Sequence, residues 1–264
     1  MDSIKQAVEM ARTGESLQQR ELVGAANGHN AQAIREVRLD TDHLEANRIV
    51  AFSSGSENSR YFDMLRTQVL QEMDKKSWQF LAVTSPTAGC GKTVTACNLA
   101  MSISRLPERS ALVVDLDLRK PTVASYLGVQ AQLGVLDALA GRAQLSSAVV
   151  KASVGPNNVA LLPGTTSISG SSEWMASQTM TALLQAIKRE FRSHTVIFDL
   201  PPMLMGDDVI SILPRMDAVL LVAGVGSSTV ADLKECQKHL DRTPVVRVVV
   251  NKVSESIDNY YGYY

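Results

Sequence analysis

Residues 79–100 read QFLAVTSPTAGCGKTVTACNLA, and this stretch decides the fold. Residues 79–85 form an apolar run without polar alternation, the mark of a strand covered on both faces. Residues 92–105 then carry a helical period. Between them stand Gly89, Cys90, Gly91, Lys92 and Thr93. Backbone N–H groups converge on phosphate oxygens only where side chains are small or dihedrals unusual, and a following helix N-terminus adds partial positive charge. A strand that turns through such a loop into a helix is a P-loop. ATP and Mg²⁺ are therefore the expected cofactors. Thr87, Ala88, Gly89, Cys90, Gly91, Lys92, Thr93 and Val94 form the expected cradle, with Lys92 on the β/γ-phosphates and the Thr93 hydroxyl on the metal. Pro86 stands where the pattern has its first glycine, and Cys90 is expected to point its small side chain outward.

Further apolar, β-branched runs follow at 111–115, 159–163, 195–199, 218–223 and 245–251, with helix-period segments at 92–105, 173–191 and 228–240 between most of them. Phe62, Leu65, Val69 and Met73 give an earlier helix over 60–73 one buried face. This alternation predicts an α/β fold: a doubly wound, mostly parallel sheet with helices on both faces. The expected organisation is a polar leader and linker over 1–56, a nucleotide-binding domain over 57–254 and a flexible tyrosine-rich tail over 255–264.

Two of the later runs end in acids. "ALVVDLDLRKP" carries Asp115 and Asp117, which in a continuing strand would share a face, with Arg119 next along it. "VIFDLPP" closes on Asp199 and a proline pair. Carboxylates at the C-terminal ends of parallel strands lie where open α/β sheets bind ligands. Thr93, Asp199 and one of the paired acids, Asp115 in the first instance, are the expected metal-holding set. Alone, any one of these acids reads equally well as a cap or turn residue.

Bulk properties narrow the function classes. The chain has 264 residues, 45% hydrophobic and 20% charged, with net charge −1. That suits a globular α/β protein and gives no field to draw it to nucleic acid or anionic lipid. Three cysteines, Cys90, Cys97 and Cys236, are too few and too scattered for a disulfide framework or a zinc site. The amphipathic start MDSIKQAVEM lacks the form of a signal peptide, and the longest apolar run, near 218–225, is too short to span a bilayer. The expectation is a cytoplasmic protein, with no direct membrane insertion.

In order and spacing, "TSPTAGCGKT", "ALVVDLDLRKP" and "VIFDLPP" resemble the Walker A, A′ and B motifs of bacterial tyrosine autokinases, the cytoplasmic kinases of exopolysaccharide and capsule export. The resemblance covers roughly residues 57–264 and extends to "LLPGTTSISGSSEWMASQTMTALL" and to Asp208. It implies a purine-contacting role for Asn251 and catalytic roles for Lys92, Asp115, Asp117 and Arg119. Asp115 or Asp117 would accept the phenol proton, with Asp115 preferred because it ends the strand. It also implies a homo-oligomer that phosphorylates itself in trans, and an inner-membrane polysaccharide co-polymerase that recruits and activates it. On "LRTQV" the family's Glu-x-x-Arg-x-x-Arg helix aligns with Arg60, Asp63 and Arg66, so the first two charges exchange sign.

The same resemblance gives the C-terminus a chemistry. Four of six tyrosines, Tyr260, Tyr261, Tyr263 and Tyr264, stand in the last five residues, flanked by polar SESIDN and Gly262. Kinases of this kind end in a tyrosine cluster that is their own substrate. The competing reading is an ATPase switch of the ParA/MinD type, which carries a lysine five residues before the P-loop lysine. Thr87 occupies that position here. A weakly catalytic, nucleotide-binding regulator of polysaccharide export is the other rival.

Overall fold

A computed structural model describes residues 34–55, 57–241 and 243–253. The elements in chain order are β1 (Arg35–Arg38), α1 (Thr41–Ala46), α2 (Glu57–Lys76), β2 (Phe80–Thr84), α3 (Lys92–Ser104), β3 (Ser110–Asp115), α4 (Val123–Tyr126) and α5 (Val135–Leu139). Then follow α6 (Leu145–Ala148), β4 (Val150–Val154), β5 (Asn157–Leu162), α7 (Ser171–Ala176), α8 (Gln178–Glu190), β6 (His194–Asp199), α9 (Asp208–Ile212), β7 (Ala218–Gly224), α10 (Val230–His239) and β8 (Val245–Asn251). The strands make one sheet in the order β1-β4-β5-β3-β6-β2-β7-β8. Six strands from β5 to β8 run parallel, while β1 and β4 run against them.

Each central strand feeds two cores. Leu81 and Val83 of β2 and Ala111 and Val113 of β3 pack on the side of α2 and α3. Phe80, Ala82, Leu112 and Val114 pack on the opposite side, among residues of α8, α9 and α10. Successive side chains of a strand point to opposite faces, so a strand clothed on both sides must be apolar throughout. That is why the apolar runs marked these strands directly.

The structure departs from the sequence reading at the margins. Residues 35–51, expected as leader and linker, form edge strand β1 and helix α1, and bury Leu39, Leu44, Ile49 and Ala51. The described fold therefore begins at about residue 34. β1 reads Arg-Glu-Val-Arg and takes its place by pairing with β4, so no run of apolar residues announces it. β4 also went unmarked: its buried valines and alanine alternate with Lys151 and Ser153. A two-residue turn at Gly155 and Pro156, with Gly155 at φ 54, returns the chain into β5. The helix expected over 173–191 is broken at Ser177, whose extended backbone ends α7 and whose hydroxyl accepts from Met180 N to cap α8. The tyrosine cluster and the rest of 254–264 lie outside the described residues.

Candidate functional site

The loop between β2 and α3 sits at the C-terminal end of the central strands, where the sheet's connections diverge. Gly89 and Gly91 adopt left-handed backbone, φ 76 and 92. Gly91 has a second reason to be glycine: a Cβ there would stand 2.2 Å from the Asn251 amide nitrogen. That nitrogen donates to Cys90 O at 2.9 Å, so Asn251 tethers the end of β8 to the loop. Its carboxamide, expected on a purine, is engaged with loop backbone and with Lys252 N.

Other contacts hold the loop from both flanks. Met203 N and Leu204 N donate to Ser85 O and Pro86 O, so Pro86 keeps its acceptor role although it has no N–H to give. Thr87 Oγ1 donates to Ser227 O. The Cys90 side chain is buried rather than pointing outward, with Sγ 3.1 Å from Ser228 Oγ and 3.2 Å from Thr87 O. Burial alone would raise its pKa, but the hydrogen bonds with Ser228 and Thr87 outweigh it and the thiol pKa lies below its ordinary value. Val94 starts the exit along α3, and Asn98 one turn on accepts from Val50 N and Ala51 N while donating to Arg48 O and Val94 O. Sequence reading passed over Asn98 and Ser228 because neither belongs to a motif.

Lys92 curls back into the acids. Its Nζ lies 2.9 Å from Asp117 Oδ2 and 3.4 Å from Asp199 Oδ1. Burial disfavours the ammonium, but the attraction of Asp199 and Asp117 exceeds it, and the lysine pKa lies above its usual value. Thr93 Oγ1 donates to Asp199 Oδ2 at 2.7 Å. Asp115 and Asp199 are register partners on β3 and β6. Burial, then repulsion from Asp199, pushes the Asp115 pKa up to about 7. Asp199 is raised too, by burial first, with Lys92 and the Thr93 hydrogen bond opposing.

The two A′ acids part company in the structure. β3 ends at Asp115, so Asp117 lies in a turn rather than farther along a strand. Asp115 Oδ2 accepts from Thr122 N and Val123 N at the start of α4, and Gly164 closes over its carboxyl. Asp117 accepts from Lys120 N through one oxygen and faces Lys92 with the other. Arg119 turns aside, pairing with Asp208 at 2.7 Å and donating to Ser171 Oγ. Asp208 is buried and its Oδ1 has no partner among the described residues. The structure thus groups Lys92, Thr93, Asp117 and Asp199 tightly, with Asp115 behind them and Arg119 at the mouth.

These residues fit a magnesium nucleotide. Three buried acids face a half-buried lysine, and burial together with mutual repulsion raises the Asp115 and Asp199 carboxyl pKa values, a strain that a divalent cation would relieve. Among the described residues no three His, Cys, Asp or Glu side chains form a metal cage. Mg²⁺ is ordinarily held by one or two carboxylates, with phosphates and water completing its shell.

A glycine loop leading from a central parallel strand into a helix, with acids on the neighbouring strand ends, defines a P-loop nucleotide-binding α/β protein. The chain belongs to the AAA domain family, which matches it over residues 78–245. It is 30% identical over 203 residues to EpsB of Ralstonia nicotianae, an overlap of 75% of this chain and 26% of EpsB. This chain therefore spans about a quarter of the length of that relative. It is 26% identical to the tyrosine-protein kinase CpsD of Streptococcus pneumoniae, covering 77% of this chain and 89% of CpsD. The solved kinase domain of the Escherichia coli tyrosine kinase ETK superposes with TM-score 0.65 at 24% identity, over 75% of this chain and 77% of that one, a likeness of fold. The resemblance of the three motifs to those of bacterial tyrosine autokinases agrees with these relatives. Among the described residues no helix is long and apolar enough to cross a membrane.

The helix expected to carry oligomer charges has another use for one of them. Asp63 accepts from Ser102 Oγ at 2.5 Å and pairs with Arg105 at 2.8 Å and Arg66 at 3.2 Å. It bonds α2 to α3 within one chain, so the sign exchange at this position has an intramolecular counterpart in Arg105.

Proposed function

We propose that this chain is an ATP-dependent protein-tyrosine autokinase whose acceptors are Tyr260, Tyr261, Tyr263 and Tyr264 of another copy. One observation carries the reading: Lys92 spans Asp117 and Asp199 beneath the loop, and β8, from which the tyrosine segment departs, ends hydrogen-bonded to that same loop through Asn251. The nucleotide site and the start of the acceptor segment are adjacent in one fold. The ATPase-switch reading explains neither the tyrosines nor Thr87 in place of a lysine.

In this reading the amides of 87–94 and Lys92 would bind the phosphates, and Thr93 and Asp199 would hold the metal. A bound Mg²⁺ would supply charge neutralisation on the phosphates. A tyrosine Oη forms the new bond to the γ-phosphorus as the bond to the β,γ-bridging oxygen breaks, leaving ADP. We assign the departing phenol proton to Asp117. Asp115, the expectation from sequence, has its Oδ2 committed to two backbone amides and no exposed surface. Lys92 and the loop N–H groups stabilise the charge that moves with the phosphoryl group. Arg119, half exposed beside Ser171 and Asp208, orients the incoming segment.

The setting is proposed on the same basis. The protein acts at the cytoplasmic side of the inner membrane in exopolysaccharide or capsule export, where a polysaccharide co-polymerase recruits and activates it, and copies assemble to exchange tails. The test is phosphosite mapping by mass spectrometry after incubation with Mg-ATP, with Tyr61 and Tyr126 as internal controls. Phosphate confined to 260–264 supports the reading. Phosphate elsewhere or nowhere, with ATP turnover intact, moves the assignment to the ATPase switch.

A further inference from the structure

Asp208 stands at the start of α9, which packs against α7, and it is only 2% exposed. Its Oδ2 lies 2.7 Å from Arg119 Nη2, while Oδ1 has no partner among the described residues. A buried carboxylate that is only partly satisfied costs stability, and an apolar side chain of similar volume ordinarily serves packing better. The cation it holds is no part of the core either, since the Arg119 side chain is 47% exposed. As a structural ion pair the arrangement is poor. What it does achieve is to fix a guanidinium. Arg119 Nε donates to the Oγ of buried Ser171 at 3.0 Å, whereas Nη1 makes only a 3.5 Å contact with Met205 O. A planar guanidinium anchored at Nε and at Nη2 has one orientation, with N–H groups left over to meet a ligand.

The backbone is shaped around this pair. Gly206 has φ 168, extended backbone that any residue adopts. A Cβ there would nevertheless stand 2.7 Å from Arg119 Nη2 and 2.9 Å from Asp208 Oδ2, so clearance is what requires the glycine. The same segment hangs on the nucleotide loop, because Met203 N and Leu204 N donate to Ser85 O and Pro86 O. Arg119 in turn follows Asp117 by two residues. The guanidinium is therefore located from two sides, by the turn after β3 and by the segment tied to the loop.

We propose that Asp208 is a positioning residue: with Ser171 it holds the Arg119 guanidinium at the mouth of the site, where the remaining N–H groups bind the acceptor peptide. The role rests on the autokinase reading and deepens it by naming what sets the acceptor side. An under-satisfied carboxylate in a poorly solvated place holds a guanidinium more firmly than water does. Arg119 thus meets the peptide already ordered and loses little side-chain freedom on binding.

The test uses the full chain with Tyr260, Tyr261, Tyr263 and Tyr264 changed to Phe, so that an added peptide of residues 254–264 is the acceptor. Steady-state transfer with Mg-ATP is measured for this protein and, within it, for Asp208→Asn, Arg119→Gln and the two combined. The nearly isosteric Asp208→Asn is expected to raise the peptide KM about tenfold, with kcat, ATP affinity and melting temperature nearly unchanged. Arg119→Gln gives the same rise, and the double variant exceeds neither, because residues that act as one unit are not additive. Ser171→Ala removes the second anchor and raises the peptide KM about threefold. It decides the matter if Asp208→Asn folds poorly, and no rise in it then overturns the role. A peptide KM unchanged by Asp208→Asn, or effects of Asp208→Asn and Arg119→Gln that add, overturns the role and leaves the autokinase reading standing. A lowered melting temperature together with lost ATP affinity in Asp208→Asn makes the residue structural and overturns the role as well. No transfer by the starting protein removes the autokinase reading and this role with it.

Discussion

The centre of the sheet and its β8 edge invert each other's chemistry. At the centre, Asp115 and Asp199 are buried beside a half-buried Lys92, where apolar packing would be cheaper. At the edge, Val248 and Val250 face solvent where charge would be cheaper. Both arrangements cost stability. Under the proposed function, phosphate and metal would offset the buried charge. The comparison teaches that a site is to be sought where burial and polarity disagree.

The sharpest break of the centre is Lys92→Met. It removes the cation shared by Asp117 and Asp199, and tyrosine phosphorylation should fall by at least ~10²–10³-fold while the circular dichroism spectrum stays native. Undiminished phosphotyrosine in folded Lys92→Met would end the P-loop reading.

Acidity tests the same cluster. Asp115 has a folded pKa near 7 against an ordinary 3.8, so the folded state holds a proton through that window that the unfolded chain has released. Its contribution therefore favours folding most below about pH 4, declines as pH rises to about 7 and is flat above. Asp115→Asn should remove this decline. Urea midpoints across pH for both proteins make the measurement, and parallel curves would show that the acid is not perturbed.

Next comes the joint between the loop helix and the amino-terminal segment. Asn98→Ala strands the buried N–H of Ala51 and frees Arg48 O, and should cost ~2–3 kcal/mol. A denaturant midpoint unchanged by the substitution would mean that residues 48–51 do not bear on α3.

The smallest effect is also the most local. Gly91→Ala places a side chain at φ 92 and against the Asn251 amide, and should cost ~1–2 kcal/mol along with nucleotide affinity. Adding Asn251→Ala removes the collision and leaves the dihedral strain, so calorimetry of ATP binding should show partial recovery. Full recovery, or none, would assign the cost to one cause alone.

Much of this protein was legible in its residues. The runs at 79–85, 111–115 and 195–199 gave their strands because a strand covered on both faces has to be apolar in every position. Gly89, Gly91, Lys92 and Thr93 gave the loop because a phosphate cradle restricts backbone and charge together. Tertiary structure alone decided the rest. β1 exists because β4 offers it a partner, and neither strand carries a run to show it. Asp115 and Asp117 looked equivalent in sequence. The end of β3 and the amides of Thr122 and Val123 separated them, since hydrogen-bond partners come from segments distant along the chain or hidden in a turn. Cys90 looked like a small outward residue until Ser228, 138 residues away in sequence, closed over it. Periodicity and motif spacing record constraints within one segment, whereas partnership between segments is set only when the sheet orders them.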